Sequence, residues 1–451
     1  MAQAYDLIVI GSGTAAQVAA HRIAAAGWKV AVIDYRPFGG TCALRGCDPK
    51  KVLLTGAQIM DDIVRMKGRG VVAQDARILW RDLMAFKRSF TGPIPARQEQ
   101  SYRESSIDAF HEPARFTAPD TVELGGGKRL QARHFVIATG ARPAPLTFSG
   151  AEHLITNEEF LELDELPNRI VLVGGGYIAA EFSHIAAHAG AQVTVLQRRE
   201  RLLPHFDPDL VSWLMKGFQR AGIEVRTEHT ASSIEKSASG FIVRARTRTG
   251  EQSFEADRVV HSAGRTPDLD RLDLEAGQIE RDEHGHLKLN EFLQSVSNAA
   301  VYAAGDAAAM GPPLTPVSSH DAKVVVANLL EGNLHRPDYR GVPSVAFTVP
   351  PIAAVGLSES QVRESGVKCR TKTERASNWY TARRVAETVY GFKVMIEEET
   401  DRVLGAHVVG PGADEVINLF GLAIRHQLTA HDLKTTIFAY PTGASDIASM
   451  L

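Results

Sequence analysis

The sequence predicts a multidomain α/β chain, and three observations carry that reading. Its 451 residues exceed what one hydrophobic core usually serves, and at about 150 residues per domain they make roughly three domains. Two distant segments repeat one grammar of apolar strand, Gly-rich turn, Ala-rich helix and second apolar strand. From Val342 onward the texture turns strand-rich, which predicts an α+β C-terminal domain.

The first repeat reads as a strand over 5–10, the turn Gly11-Ser12-Gly13, a helix to about Ala26 and a strand over 30–33 that ends in Asp34. The second reads as a strand over 170–173, the turn Gly174-Gly175-Gly176, a helix to about Ala189 and a strand over 193–196 that ends in Gln197-Arg198-Arg199. Strands alternating with helices at this spacing predict parallel, doubly wound sheets. Between the repeats, 59–102 is charged and helix-like. Compositional breaks fall at Ala141-Arg142-Pro143-Ala144-Pro145, near Gly264-Arg265-Thr266-Pro267, and near Pro337 after a helical stretch over 320–330. These breaks divide the chain into 1–145, 146–266, 267–337 and 338–451, with the third segment completing the domain begun by the first. In the last segment 392–396 alternates as a strand and 414–426 reads as a helix.

Composition excludes several classes. The 50 basic and 53 acidic residues leave a net charge of -3, without a basic stripe for nucleic acid or a polybasic membrane patch. No apolar run approaches the length of a membrane span. The stretch from Leu7 to Ile10 has no basic residue before it and breaks at once into glycines, so it reads as a strand and not a signal-peptide core. A cytoplasmic chain is expected, and three cysteines are too few for a secreted disulfide scaffold.

In the first repeat Gly11 allows a tight turn, Gly13 lets a pyrophosphate approach the helix start, and Ala16 permits close helix-strand packing. Asp34 is placed to accept from both hydroxyls of a ribose. In the second repeat Gly174, Gly176 and Ala179 restate this fingerprint, but Gln197 stands where the acid would be, followed by Arg198 and Arg199. A carboxylate there would repel a 2′-phosphate, whereas guanidinium groups would bind one, so the second nucleotide is read as NADPH. A solvated basic turn is the plainer reading of the two arginines. Between the fingerprints, Cys42 and Cys47 lie close enough for a disulfide if the backbone bends suitably. Metal binding is the rival, but Cys369 stands alone, so one chain cannot assemble a four-thiolate zinc site and no metal is expected.

Gly-Gly-Thr-Cys-x4-Cys-x-Pro-Lys-Lys over 39–51, set between two nucleotide fingerprints, resembles the FAD-dependent pyridine nucleotide-disulfide oxidoreductases. The similarity is to their class I branch of glutathione reductase, lipoamide dehydrogenase and mercuric reductase. Further matches are Ile137-Ala138-Thr139-Gly140-Ala141-Arg142-Pro143, Ser262-Ala263-Gly264-Arg265-Thr266-Pro267, Val301-Tyr302-Ala303-Ala304-Gly305-Asp306, Leu314-Thr315-Pro316-Val317 and 345–352. The resemblance implies FAD on the first repeat and a pyridine nucleotide on the second. Asp34 would meet the adenosine ribose, Asp306 the ribityl chain, Gly40 and Thr41 the pyrophosphate side, and Ala114 the adenine. Thr139, Gly140 and Gly264 would belong to the cofactor-binding motifs, and Thr315 would lie near the isoalloxazine. Cys47 would be the charge-transfer thiolate facing the flavin and Cys42 the interchange thiol that attacks substrate. Lys50 or Lys51 would pair with Glu181 near the flavin's reactive nitrogen, and Tyr177 would cover the nicotinamide pocket.

One departure matters. Disulfide-reducing members end in His-Pro-Thr-x-x-Glu, whereas this chain has Tyr440-Pro441-Thr442-Gly443-Ala444-Ser445-Asp446. An imidazole with a pKa of about 6.5 can shuttle a proton at neutral pH, but a phenol near about 10 mainly donates. His320, His426 and His431 are candidate substitutes. His21 and Lys323 stand where glutathione reductases carry substrate arginines, and the C-terminal cysteine pair of mercuric reductases is absent. The resemblance also implies a homodimer through the C-terminal domain, and the helix over 414–426 is expected to offer an apolar face to it. The leading expectation is an NADPH-dependent flavoprotein reducing a disulfide or related thiol-reactive substrate. The alternatives are an oxidoreductase acting on a quinone, metal ion or oxygen, and a redox-sensing binding protein.

Overall fold

The computed structural model describes residues 3–451. The chain divides into two compact units. The first takes the chain up to Pro49 with Lys87–Ala144 and Arg265–Tyr339, and the second takes Lys50–Phe86, Pro145–Gly264 and Arg340–Leu451.

The first unit is built on parallel strands in the order Asp108–Phe110, Val30–Ile33, Gln3–Ile10, Arg129–Ile137 and Val301–Ala303. The opening residues of Arg129–Ile137 also pair antiparallel with Thr121–Leu124, which pairs with Ala114–Ala118. Leu7, Ile8, Val9 and Val30 through Ile33 are buried, the continuous apolar run of strands covered on both faces. Each such Val, Leu or Ile contributes about 1.5–3 kcal/mol on burial. Helix Thr14–Ala25 turns Ala15, Ala16, Ala19, Ala20 and Ile23 inward, and these small side chains let it lie close to the sheet. Register then places the site. Ile10 lies opposite both Ile33 and Ile137, and Ala303 lies opposite Ile137, so Gly11, Asp34, Ala138 and Ala304 all leave the same edge of the sheet.

The second unit repeats the plan with parallel strands in the order Glu224–Thr227, Gln192–Gln197, Arg169–Val173, Arg258–His261 and Leu154–Ile155. Its helix Tyr177–His188 is buried from Ala179 through Ala186. A three-stranded antiparallel sheet, Thr230–Ser237, Gly240–Thr247 and Gly250–Ala256, belongs to the same unit. So does a five-stranded antiparallel sheet in the order Ser344–Ala346, Ile352–Gly356, Val403–Val409, Gly391–Glu397 and Cys369–Arg375.

Two helical readings hold with sharper bounds, and one reading, the apolar face expected at the interface, needs correction. The helix expected over 320–330 begins at Thr315, because Pro316 is tolerated in a first turn whose N–H groups have no helical partner. The charged stretch over 59–102 resolves into the helices Cys47–Met66, Trp80–Thr91 and Ile94–Glu104. The apolar face of helix Ala413–Arg425 is covered within its own unit, where Val416, Ile417, Phe420 and Ala423 share a core with Phe392, Val394 and Val408. That face is therefore not available to a partner subunit. Among the described residues no helix is long and apolar enough to cross a membrane.

Candidate active site

The two thiols sit at a break between helices in the first unit. Helix Gly40–Arg45 ends at Gly46, the chain folds back, and a new helix starts at Cys47. The bend brings the Cys42 thiol into hydrogen-bonding reach of Cys47. Cys47 Sγ lies 3.5 Å from Thr315 Oγ1, on the first residue of helix Thr315–Glu331. The Cys42 thiol is pushed well up, first by its hydrogen bond to Cys47 and then by burial. Cys42 Sγ also lies 3.9 Å from Asp48 Oδ1, in the first turn of the new helix. Burial pushes the Asp48 carboxyl up from the ordinary range, against a smaller opposing effect of Cys42.

The same unit carries a cradle for a dinucleotide. Gly11 has φ 111°, and a Cβ there would stand 2.2 Å from the Ala138 carbonyl oxygen, so only glycine fits the turn. Gly40 approaches Gly13 so closely that a Cβ on Gly40 would meet Gly13 Cα at 2.3 Å. This contact sets the starts of helices Thr14–Ala25 and Gly40–Arg45 side by side. Ala16 is fully buried against the sheet, Thr41 is half-buried and Gly140 has φ 70°. Asp34 Oδ2 accepts from Ser12 Oγ at 2.6 Å and its Oδ1 from the Arg36 N–H at 2.9 Å, which fixes the carboxylate at the strand's end. Ala114 opens the strand Ala114–Ala118 and is buried. Thr139 Oγ1 is buried with no hydrogen-bond partner, and burial pushes Asp306 up despite Arg265 nearby. An orphan hydroxyl, a desolvated carboxyl and paired helix starts fit FAD, a group whose hydroxyls and pyrophosphate would satisfy them.

In the second unit Lys50 Nζ lies 2.6 Å from Glu181 Oε2. The other carboxylate oxygen, Oε1, accepts from the Phe347 N–H at 3.0 Å. Lys51 points elsewhere: its Nζ is 3.6 Å from Asp414 Oδ2 and 3.9 Å from the centroid of the Phe347 ring. Of the two lysines, Lys50 is the partner of Glu181. Gly174 repeats the first fingerprint, with φ 113° and a Cβ position 2.2 Å from the Ser262 carbonyl oxygen. A Cβ on Gly176 would meet nothing within 4 Å, which leaves the helix start open to a phosphate, and Ala179 is fully buried behind it. Tyr177 opens that helix, 5.5 Å from the Phe206 ring, and burial pushes its phenol up although Ser344 hydrogen-bonds it. Gln197 is buried and donates from Nε2 to the Arg201 carbonyl at 3.0 Å, so its amide is turned inward. Arg198 and Arg199 stay exposed, and Gly264 adopts φ 112°.

Tyr440 is 80% exposed and stacks on Tyr380 at 6.5 Å. Asp446 accepts from the Tyr390 hydroxyl at 2.8 Å, and Ser445 closes a capping box with Thr442, so neither replaces the Glu of the usual motif. The candidate histidines are otherwise engaged or placed. His320 Nε2 accepts from the Asp338 N–H at 2.9 Å, and His426 and His431 lie exposed at and beyond the end of helix Ala413–Arg425. His21 stacks on Tyr102, and Lys323 faces solvent. Sequence reasoning missed Asp48 and Phe347. Asp48 stands inside the cysteine motif, but only the bend at Gly46 turns it toward Cys42. Phe347 acts through its backbone, which leaves no mark in residue type.

Comparison with known proteins identifies the family. The family model for pyridine nucleotide-disulphide oxidoreductases matches residues 5–322, and the model for their dimerisation domain matches 342–451. A mercuric reductase of Lysinibacillus sphaericus is 32% identical over 98% of this chain and 81% of its own length. A dihydrolipoyl dehydrogenase of Staphylococcus aureus is 33% identical over 97% of this chain and 94% of its own. Among solved structures, the Cu(II) complex of the HOCl-induced flavoprotein disulfide reductase RclA from Escherichia coli aligns with a TM-score of 0.88 at 25% identity. That alignment covers 100% of this chain and 99% of that one. The chain belongs to the pyridine nucleotide-disulphide oxidoreductases, flavoproteins that use FAD with a pyridine nucleotide and carry a dimerisation domain.

Proposed function

We propose that the chain is an NADPH-dependent flavin disulfide reductase that works as a homodimer and presents Cys42 and Cys47 as its redox pair. The observation that carries the reading is the apposition of the two thiols beside Thr315. FAD, when bound, supplies hydride acceptance from the pyridine nucleotide and passes the electron pair to the disulfide. Gly11, Gly13, Ala16, Gly40 and Thr41 shape the pyrophosphate site, Asp34 orients the ribose, and Ala114 borders the adenine. Thr139, Gly140 and Asp306 hold the ribityl side, and Thr315 stands beside the inner thiol. Lys50, paired with Glu181, is the cation that the family resemblance assigns to the flavin's reactive nitrogen, where it would meet the negative charge that develops on reduction. Segments 1–145 and 267–337 hold FAD, 146–266 holds the nucleotide, and 338–451 serves the interface.

NADPH is chosen over NADH because no carboxylate ends the strand Gln192–Gln197 and the exposed Arg198 and Arg199 follow it. Gly174, Gly176, Ala179 and Gly264 shape that site, and Tyr177 covers the nicotinamide pocket. Cys47, beside Thr315, is the inner thiol, and Cys42 meets the substrate. We place the activity in the cytoplasm, where thiols are kept reduced.

A second reading takes a metal ion, quinone or oxygen as acceptor. Tyr440 in place of the usual imidazole favours it, as do the names of two similar proteins, a mercuric reductase and a reductase solved as a Cu(II) complex. An anaerobic NADPH titration of the holoenzyme separates the readings. Uptake of two electron pairs per flavin, through a long-wavelength thiolate band, is expected if the disulfide is in the circuit. Uptake of one pair with direct bleaching would sink the disulfide reading and direct the search to the other acceptors.

A further inference from the structure

We propose that Asp48 is a catalytic residue, the proton acceptor for the interchange thiol Cys42, taking in cis the task that relatives give to a C-terminal imidazole. This rests on the disulfide-reductase reading above. The geometry comes from the helix break. Because helix Gly40–Arg45 stops at Gly46 and the next begins at Cys47, the second residue of the new helix reaches back to the first cysteine, with Asp48 Oδ1 3.9 Å from Cys42 Sγ. That separation is within hydrogen-bond range for sulfur. The titratable groups acting on Cys42 are Cys47 and Asp48, with the Thr315 hydroxyl as the neutral neighbour, and Cys42 is the side chain acting on Asp48. Tyr440 carries a phenol, which is not a base at neutral pH.

The exchange balances as follows. In the reduced state, with Cys42 a thiol and Cys47 a thiolate, the Cys42 S–H proton passes to the Asp48 carboxylate as Cys42 sulfur forms a bond to one sulfur of a disulfide substrate. The substrate S–S bond breaks, and its leaving sulfur takes the proton back from Asp48 and departs as a thiol. Cys47 thiolate then attacks Cys42 sulfur, the Cys42–Cys47 disulfide forms, and the second substrate thiolate leaves and is protonated by water. The substrate gains two electrons and the cysteine pair loses two. Reduced pyridine nucleotide is the two-electron reductant that would restore the pair. Partial burial, which raises the Asp48 carboxyl, brings its proton affinity nearer that of a thiol and so suits it to both transfers.

The test uses holoenzyme reduced with dithiothreitol and desalted anaerobically, so it does not depend on NADPH. Single-turnover formation of the mixed disulfide on Cys42 is followed by mass spectrometry with two oxidants. An alkyl disulfide, 2-hydroxyethyl disulfide, has a basic leaving thiolate that needs a proton. An aryl disulfide, 5,5′-dithiobis(2-nitrobenzoate), has one that does not. Asp48→Asn is expected to slow the alkyl reaction on the order of 10²-fold at neutral pH and abolish its acid limb. It should leave the aryl reaction within about threefold, and Asp48→Glu should restore part of the alkyl rate. Equal slowing with both oxidants, or no change with either, overturns the assignment. The parent reading is judged separately, by whether NADPH raises the long-wavelength band in the unsubstituted enzyme.

Discussion

Lys50 Nζ and Glu181 Oε2 are 2.6 Å apart, with their side chains only 17% and 3% exposed. A pair so shielded is costly to break, because removing one partner leaves the other charge without water or counterion. Lys50→Met is therefore expected to destabilise the fold by about 3 kcal/mol. It should also slow flavin reduction by NADPH about 10²-fold, since the charge that would stabilise the reduced state is lost. Lys50→Met/Glu181→Leu should recover much of the stability and none of the rate. Urea titration and stopped-flow absorbance read the two effects. A double variant as unstable as the single one would show that the ion pair is not the source.

Arg198 and Arg199 follow a strand that ends without a carboxylate, and both are exposed. A guanidinium bound to a phosphate is worth about 1.5–3 kcal/mol, so Arg198→Ala/Arg199→Ala should lower kcat/KM for NADPH by about 10- to 100-fold. The constant for NADH should hardly move, because NADH carries no 2′-phosphate. Equal losses with both nucleotides would place the arginines outside the phosphate site.

How far these features were legible depends on where the constraint is local. The fingerprint could be read because Gly11 and Gly174 need positive φ and have no room for a Cβ, a demand that falls on residue type. The choice between Lys50 and Lys51 could not. Neighbours on a helix point about 100° apart, and the remote Glu181 and Asp414 decide which lysine meets which acid. Asp48 escaped for a related reason, since its meaning depends on the turn at Gly46. Gln197 read as a neutral replacement for an acid facing the nucleotide, yet its amide caps Arg201 instead. The helix face over 414–426 read as an interface because sequence shows amphipathicity but not which surface covers it.

His184 provides a prediction about pH. It is fully buried, both ring nitrogens lack hydrogen-bond partners, and burial, followed by His188, holds its pKa well below the usual value. The groups acting on it are His188, Asp61 and Arg220, beside the Phe218 ring. His134 and His407 are lowered in the same direction, chiefly by burial. The unfolded chain therefore binds more protons than the native one below about pH 6.5, and stability is full above that value and falls as pH drops. His184 accounts for at most about 1.4 kcal/mol of this per pH unit. His184→Leu should match or exceed the wild-type urea midpoint at neutral pH and lose less of it at mildly acid pH. Parallel losses in the two proteins would remove His184 as a cause.

With the face of helix Ala413–Arg425 covered, other apolar side chains must bring two copies together. Within the residues matched to the dimerisation domain, Ile437 is 98% exposed, Tyr440 80%, Tyr380 56% and Leu422 53%. An isoleucine so exposed is costly in an isolated chain and favourable in an interface, where burial contributes about 1.5–3 kcal/mol. Because a twofold interface uses each residue twice, Ile437→Asp removes that contribution from both copies and should raise the dimer dissociation constant by about 10²- to 10⁴-fold. Sedimentation velocity over a dilution series measures the shift. Turnover should fall along the same dilution curve if the segment containing Tyr440 completes the partner's site, because a monomer would keep its flavin and thiols but lack that wall. A dissociation constant unmoved by Ile437→Asp would place this exposed cluster outside the interface, and unchanged turnover on dilution would show that each subunit's site is complete by itself.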